Sequence, residues 1–399
     1  MEVRKGYKQA EFGVIPEEWI ECRFEDVMTG FSSGQTPYRA VESYYRGDIP
    51  WITSGELNYN VITDTIEKIT IEGVRAANLK MIPKGTFLFA ITGLEAAGTR
   101  GSCAITGIEA TTNQSCMALY PIKNVLITPY LYHYYIRYGN ELAFRYCQGT
   151  KQQSYTGGIA KKLPIIVPNT IEEQITIATA LSDTDALISS LEKLIEKKRA
   201  IKQGAMQELL KPKEGWEVKN LGEIANVNMG QSPLSEYYNK GGIGLPLIQG
   251  NADIENRKTI IRTYTSVVTK KGKIGDTIMS VRAPVGEISK ATFDCCLGRG
   301  VCAIGYKNEF LFHYLIYFEK SWAKFSTGST FDSVNSMQVK ELEIPIPISN
   351  NEQTRIATIL SDMDAEITAL EQKLAKYKQI KQGMMQELLT GRIRLIDVQ

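Results

Sequence analysis

The stretch IKQGAMQELL, Ile201–Leu210, returns near the other end of the chain as IKQGMMQELL, Ile380–Leu389. Read outward, EEQITIATALSDTDALISSLEKLIEKKRAIKQGAMQELL (Glu172–Leu210) aligns without a gap to NEQTRIATILSDMDAEITALEQKLAKYKQIKQGMMQELL (Asn351–Leu389), with about 23 of 39 positions identical. Chance does not produce that, so the chain carries an internal duplication. Each copy reads as one long helix. Thr170 with Glu173, and Ser349 with Glu352, have the spacing of a capping box. Ile177, Leu181, Thr184, Ile188, Leu191 and Ile195 alternate steps of four and three, and so do Ile356, Leu360, Met363, Ile367, Leu370 and Leu374. That is a heptad seam, which asks for a long partner rather than a round core. At ~1.5 Å per residue, a helix of ~38 residues is on the order of 55 Å long. Lys211-Pro212 stops the first helix and Gly391 caps the second.

The segments before each helix also match, more weakly. PEEWIECRFEDV and SGQTP (within 16–37) face KEGWEVKNLGEI and MGQSP (within 213–233). IPWI (Ile49–Ile52) faces LPLI (Leu245–Ile248), LYHYYI (Leu131–Ile136) faces LFHYLI (Leu311–Ile316), and LPIIVP (Leu163–Pro168) faces IPIPI (Ile344–Ile348). Short β-branched or aromatic runs alternate with turns, and one helix per globule carries the aromatic-rich His motif. The reading is an α+β protein of two similar globules separated by two long antiparallel coiled-coil helices, an internal repeat with pseudo-two-fold character. Its parts are an N-terminal globule over 1–169, a central helix over 170–212, a second globule over 213–348, and a distal helix and tail over 349–399. If the ends of each globule lie close together, the second helix runs back along the first and the tail GRIRLIDVQ returns to the N-terminal globule.

Bulk properties narrow the function. The 399 residues exceed what one core normally holds. Apolar content of 43% and charged content of 23% are ordinary for a globular protein. No apolar run reaches bilayer length and no signal-peptide core follows the charged start, so neither a membrane nor export is expected. Seven cysteines without CxxC spacing argue for a reducing cytoplasm and against structural zinc. The net charge of +2 excludes a cationic coat but not a local basic surface. There is no GxxxxGK[ST] loop, no Asp/Asn-Pro-Pro-Tyr methyltransferase signature and no dinucleotide fingerprint, so no cofactor is expected. His133 and His313 occupy matching places in aromatic helices, which favours packing over catalysis. No catalytic or metal-ligating residue is assigned.

Two related but divergent globules joined by long helices read as a ruler with two different readers, and duplex DNA suits such a ruler: one turn is roughly 34 Å. The order of parts resembles the specificity subunit of type I restriction-modification systems. So do IPEEW, GQTP/GQSP, TNQS (Thr112–Ser115), SVRAPVG (Ser280–Gly286), the EQxxIAxxLSDxDAxI…IKQGxMQELL helices and the terminal TGRIRL. The resemblance spans essentially the whole chain, with the helices as its specific part. It implies two target recognition domains, each reading half of a bipartite asymmetric site. It implies helices that set the spacer and dock two methyltransferase (modification) subunits, with restriction subunits added to that core. S-adenosylmethionine and ATP chemistry would belong to those partner chains, leaving this chain non-catalytic. A stand-alone DNA-binding regulator and a coiled-coil adaptor are the alternatives.

Base readers must differ between globules that read different half-sites, whereas scaffold residues should match. Gln35 and Gln231 sit in identical turns, which favours a structural role. Asn113 and Gln114 lie where Gly298-Arg299-Gly300 lies in the second globule, and Thr92 lies where Arg282 lies. Asn and Gln suit the adenine edge and Arg the guanine edge; binding of Arg282 and Arg299 to phosphates, or bracing of a loop, stays open. The first globule has TGLEAAG where the second has the RAPVG turn. The polar loops GTKQQSYTGG and GSTFDSVNS add Lys151, Gln152, Gln153, Tyr155, Thr330, Asp332 and Asn335. The turns after IPWI and LPLI add Thr53, Gln249 and Asn251. Lys270 and Lys271, with Lys273, Lys161 and Lys162, are candidates for the salt-sensitive phosphate component. The run EKKRAIKQG reads as the solvated face of a coiled coil or as an attraction for spacer phosphates. Partner docking falls to Gly204, Met206, Leu209 and Leu210, and to Gly383, Met385, Leu388 and Leu389, placed beyond the clean seam.

Overall fold

The computed structural model describes residues 4–94, 100–149, 153–325 and 333–396. Four helices organise the chain: α1 (Thr128–Tyr146), α2 (Ile171–Leu209), α3 (Phe310–Phe325) and α4 (Asn350–Leu388). The repeated segments are thus the two 39-residue helices α2 and α4. The chain divides into two compact units, Met1–Ser190 with Leu374–Gln399, and Leu191–Lys373. These units cut across both helices. Each takes the beginning of one long helix and the end of the other.

In the first unit, a five-stranded sheet runs in the order Met28–Ser33, Cys116–Pro121, Phe87–Ala90, Cys103–Thr106, Asn60–Ile62. Only the last pair is parallel. Helix α1 lies on this sheet, with Tyr130, Tyr134, Tyr135 and Tyr138 buried against a core that contains Phe87 and Phe89. The second unit repeats this order within a six-stranded sheet, Asn226–Met229, Val301–Gly305, Thr277–Ser280, Ile288–Lys290, Lys258–Thr259 and Ile254–Glu255; the fourth and fifth strands are again parallel, and the sixth is antiparallel to the fifth. Each unit also closes its ends with a two-stranded ladder, Ile20–Arg23 with Pro164–Val167 and Trp216–Asn220 with Glu343–Pro347. That ladder delivers the chain to the long helix beside the point where the globule began.

The seam of α2 and α4 is buried or half-buried from Ile177 to Ile195 and from Ile356 to Leu374. The two helices run antiparallel in both units. In the first, Lys381 pairs with Asp185 at 2.5 Å and Met384 Sδ meets Thr184 Oγ1 at 3.5 Å. In the second, Lys202 pairs with Asp364, Lys198 with Glu366 at 2.6 Å, and Arg199 with Glu371 at 2.6 Å. Three cations of the basic run are thus engaged by the opposite helix: Lys198 and Lys202 are half-buried there, and Arg199 stays exposed. The seam does not stop at Ile195. It continues through Lys198 and Lys202 to Met206 and Leu210, and Met206 and Leu210 enter the core of the second unit. Met385, Leu388 and Leu389 do the same in the first. This corrects their assignment as docking residues: Met206, Leu210, Met385, Leu388 and Leu389 are buried by their own chain, and Leu209 packs half-buried against the same core.

The helix starts depart from a capping box in an informative way. Thr170 Oγ1 accepts from the Glu173 amide at 3.3 Å and Ser349 Oγ from Glu352 at 3.4 Å, as the spacing predicts. The Glu173 carboxylate does not turn back. It is 1% exposed, accepts from Trp19 Nε1 at 3.1 Å, and holds the Arg394 guanidinium through two nitrogens, one at 2.8 Å. Glu352 accepts from Trp216 Nε1 at 3.2 Å. Beside them Gln174 and Gln353 are both buried, and their amides donate to Pro168 and Pro347 carbonyls. Gly391 ends α4 with φ +66°, a position where the ring of Pro16 leaves no room for a side chain. The tail thereby returns to the first unit, where Tyr7 Oη donates to the Gly391 carbonyl at 3.0 Å.

His133 and His313 fulfil a packing role. Each is 1% exposed and its Nε2 meets a serine of the repeat, Ser182 or Ser361, at 2.9 Å. Burial pushes both imidazoles down from 6.5 to about 4. An unfolded chain takes up these protons below pH 6.5 while the folded chain refuses them. Their contribution is therefore complete above pH 6.5 and is lost as pH falls towards 4, on the order of 3 kcal/mol per histidine at the lower limit. Chemical denaturation at pH 7 and pH 4.5 should show a smaller loss of stability in the double variant His133→Gln, His313→Gln than in the parent. A second expectation concerns the buried carboxylate. Glu173→Ala strands the Trp19 N–H and leaves Arg394 with Glu18 as its remaining carboxylate, and should cost about 1–3 kcal/mol in urea denaturation. Replacing Glu173 and Arg394 together by leucine should cost less than the sum of the single changes.

Candidate nucleic-acid interface

Five loops meet in each unit, and main-chain hydrogen bonds tie them in the same order. In the first, the Asn113 amide donates to the Ile52 carbonyl, Ile91 to Ser115, and Tyr155 to Ile91, at 2.8–2.9 Å. In the second, Gly298 donates to Ile248, Val281 to Gly300, and Val334 to Val281, at 2.7–2.9 Å. The bridges Thr92–Ser154 and Arg282–Ser333 complete the match. Asn113 is thus the counterpart of Gly298, Gln114 of Arg299 and Thr92 of Arg282, as the sequence alignment has it. The matched turns Gly34–Pro37 and Gly230–Pro233 close the cluster. A Cβ at Gly34 would lie 1.7 Å from the Thr112 carbonyl, and one at Gly230 2.1 Å from that of Gly298. Gln35 and Gln231 use main-chain atoms to fix these turns, accepting from Trp51 Nε1 at 3.2 Å and donating to Leu297 at 2.9 Å.

The candidate side chains fall into two groups. Gln249, Asn251, Lys270, Arg282 and Arg299 are exposed and have no side-chain partner among the described residues. Gln114 is exposed, and its Oε1 accepts from Thr36 Oγ1 at 2.7 Å. Asn113 spends its Oδ1 on the Ser115 amide at 3.0 Å, which shapes the loop. Thr92 is half-buried, and Gln153 Oε1 lies 3.4 Å from Arg100 Nη2. Lys271 is exposed but already pairs with Asp294 at 2.8 Å; that bond lowers the Asp294 carboxyl below its ordinary range.

Others prove structural. Tyr155 is 3% exposed, with its ring 6.0 Å from Phe89, so it is a core residue and not a surface contact. Asn335 is the N-cap of the short helix Ser336–Lys340, accepting from Met337 and Gln338 at 2.9 and 3.0 Å. Its counterpart Thr156 caps Gly157–Lys161. Thr53 directs its hydroxyl to Glu56 Oε2 at 2.8 Å. Lys151, Gln152, Thr330 and Asp332 lie outside the described residues, as does much of TGLEAAG.

Two residues that sequence reasoning passed over build the readers' floor. Glu56 is 9% exposed and accepts from the Thr53 and Ile66 amides at 2.8 and 2.9 Å; Asp253 is 7% exposed and accepts from the Gln249 amide at 2.7 Å. The spacing Thr53-x-x-Glu56 was the available signal, since it repeats the capping box in a loop. Among the described residues, no group of three His, Cys, Asp or Glu side chains could hold a metal ion.

Paired units of one topology, carrying unlike polar loops at one shared place and joined through two antiparallel helices, define a class of two-headed recognition proteins. The family profile described as the type I restriction modification DNA specificity domain matches twice, over residues 16–203 and 213–382, and the chain belongs to that family. It is similar to a putative type I restriction enzyme MjaX specificity subunit of Methanocaldococcus jannaschii, 29% identical over 98% of this chain and 97% of that one. The MjaVIII specificity subunit of the same organism is 23% identical over 96% of this chain and 94% of its own length. Among solved structures, the S subunit of a type I restriction-modification system from M. genitalium shares the fold, with a TM-score of 0.65 at 16% identity, covering 97% of this chain and 98% of that one. A chain from a structure of type I R-M complex assembly and conformational transition has a TM-score of 0.60 at 22% identity, covering 95% and 99%.

The buried floor carries a direct expectation. Asp253→Ala leaves the Gln249 amide without its acceptor and should cost about 1–3 kcal/mol. Hydrogen exchange should quicken at Gln249 while the helices keep their protection; unchanged exchange there would remove Asp253 from the floor.

Proposed function

We propose that this chain is the DNA-specificity subunit of a type I restriction-modification complex. Each unit reads one half of a bipartite asymmetric duplex site. The observation that carries the reading is the pairing of unlike residues at one structural position: Asn113-Gln114 in one unit and Gly298-Arg299 in the other. An amide pair matches the N6/N7 edge of adenine and a guanidinium the O6/N7 edge of guanine. Arg282, Gln249 and Asn251 extend the second reader, and Thr92 and Gln153 the first. Lys270 and Lys271 supply phosphate attraction, with Lys271 partly offset by Asp294.

The helices serve as spacer and dock. Helix length sets how many base pairs go unread, at ~1.5 Å per residue. Gly204 and Gly383 support the docking role. A Cβ at either would meet nothing within 4 Å, so their own chain gives no reason for glycine. A helix-interior glycine costs about 1 kcal/mol against alanine, and close approach of a methyltransferase subunit at each copy accounts for its recurrence. Methyl transfer from S-adenosylmethionine and ATP-driven cleavage belong to the modification and restriction partners. The chain itself is non-catalytic and acts in the cytoplasm, where those partners and chromosomal DNA meet.

Mapping methylated sites in cells that express the chain with its methyltransferase subunit tests this. Arg299→Ala should relax one half of the methylated sequence and leave the other unchanged, whereas Gln114→Ala should do the converse. Each lost bidentate contact corresponds to about 1–3 kcal/mol of discrimination. A site whose two halves respond together to either change would refute the division of labour.

A further inference from the structure

Tyr38 directly follows the turn Gly34–Pro37, and Leu234 directly follows Gly230–Pro233. Both turns are pinned. Pro37 and Pro233 are buried, and their carbonyls accept from Tyr45 Oη at 2.5 Å and Tyr238 Oη at 3.1 Å. The residue before each proline ties the turn to the neighbouring loop: Thr36 Oγ1 donates to Gln114 Oε1 at 2.7 Å, and Ser232 Oγ accepts from the Arg299 amide at 3.0 Å. Yet the next side chain stands in solvent, 73% exposed for Tyr38 and 67% for Leu234. Neither has a side-chain partner among the described residues.

Single exposed apolar residues are ordinary. A large apolar side chain held out at the same place in two divergent units, on a turn anchored by the same tyrosine contact, is not accounted for by that. The turns sit against Gln114 and Arg299, so whatever those residues touch lies beside Tyr38 and Leu234. Charge favours a polyanion there in the second unit. Thr269 donates to the Gln231 carbonyl, which brings the exposed and unpaired Lys270 next to the turn. We propose that Tyr38 and Leu234 are apolar DNA contacts, each packing against a base or sugar edge next to the position read by Gln114 or Arg299. Proteins that read DNA grooves use apolar side chains in this way, on the thymine methyl or as wedges between base steps. The two residues differ, Tyr with a planar face and Leu without one, so they add to the preference of each half-site as well as to affinity. The inference rests on the DNA-specificity reading above.

The test uses the complex of the full chain with its methyltransferase subunit, and the bipartite duplex found by mapping its methylated sites. Affinity is read by fluorescence anisotropy over a series of salt concentrations. Tyr38→Ala and Leu234→Ala should each weaken binding roughly tenfold, the scale of a lost base contact. The salt dependence should stay the same, because no phosphate contact is removed. Tyr38→Phe should bind as the parent does, since the ring face and not the hydroxyl makes the contact. Both side chains are exposed, so thermal unfolding should match the parent. Alanine variants that bind within twofold of the parent overturn the proposal. So does a weakened assembly with the methyltransferase subunit at unchanged DNA affinity, which would assign the pair to a protein contact. If the parent complex shows no preference for the mapped duplex over an unrelated one, the DNA-specificity reading itself fails, and the two failures are told apart.

Discussion

A helix with one apolar seam must bury that seam along its whole length, and among the described residues the one long partner is the second copy of the same helix. Everything else follows from that constraint. The copies lie antiparallel, so the acidic LSDxDA segment near the start of one meets the IKQG segment near the end of the other. Asp185 faces Lys381 and Asp364 faces Lys202. Each lysine occupies a seam position and is only 15–18% exposed, so its ammonium needs the carboxylate across the interface. A parallel arrangement would set like segment against like and leave these charges unmatched. One repeated sequence can therefore specify register and direction as well as helix formation.

The same repeat explains why the ends of the helices are so alike when the globules are not. The start of each helix is fastened to its globule by a set of buried and half-buried polar groups, Trp19–Glu173 with Gln174 and His133–Ser182 in one unit, Trp216–Glu352 with Gln353 and His313–Ser361 in the other. The MQELL ends plug into the globule cores. Groups that are buried and polar must keep their partners, and this keeps the two copies near identity. The loops face solvent and are free of that requirement.

Within each globule the division between constant and variable is just as physical. The glycines of GQTP and GQSP are fixed by contacts too short for any side chain, and the prolines by burial and a tyrosine hydroxyl on each carbonyl. Glu56 and Asp253 are fixed by the amides they cap. On this common frame the exposed Gln114 amide and the Arg299 guanidinium exchange one donor and acceptor pattern for another.

By itself the sequence determined the duplication, the two long helices, the upper part of their seam, the equivalence of the globules and the pairing of Thr92 with Arg282 and Gln114 with Arg299. These are carried by periodicity and by alignment of the chain with itself, which are local properties. The tertiary structure alone decided the rest. Lys198 and Lys202 looked solvated because a lysine in a seam is legible only when its acid, more than 150 residues away, is in place. Met206 and Met385 looked free because a helix end shows its burial only when the globule it enters has folded. Tyr155 and Asn335 sat in polar loops and resembled contacts, yet one fills a core and the other caps a short helix. Burial and partnership depend on residues distant in sequence, and a polar loop composition does not reveal which of its members face inward.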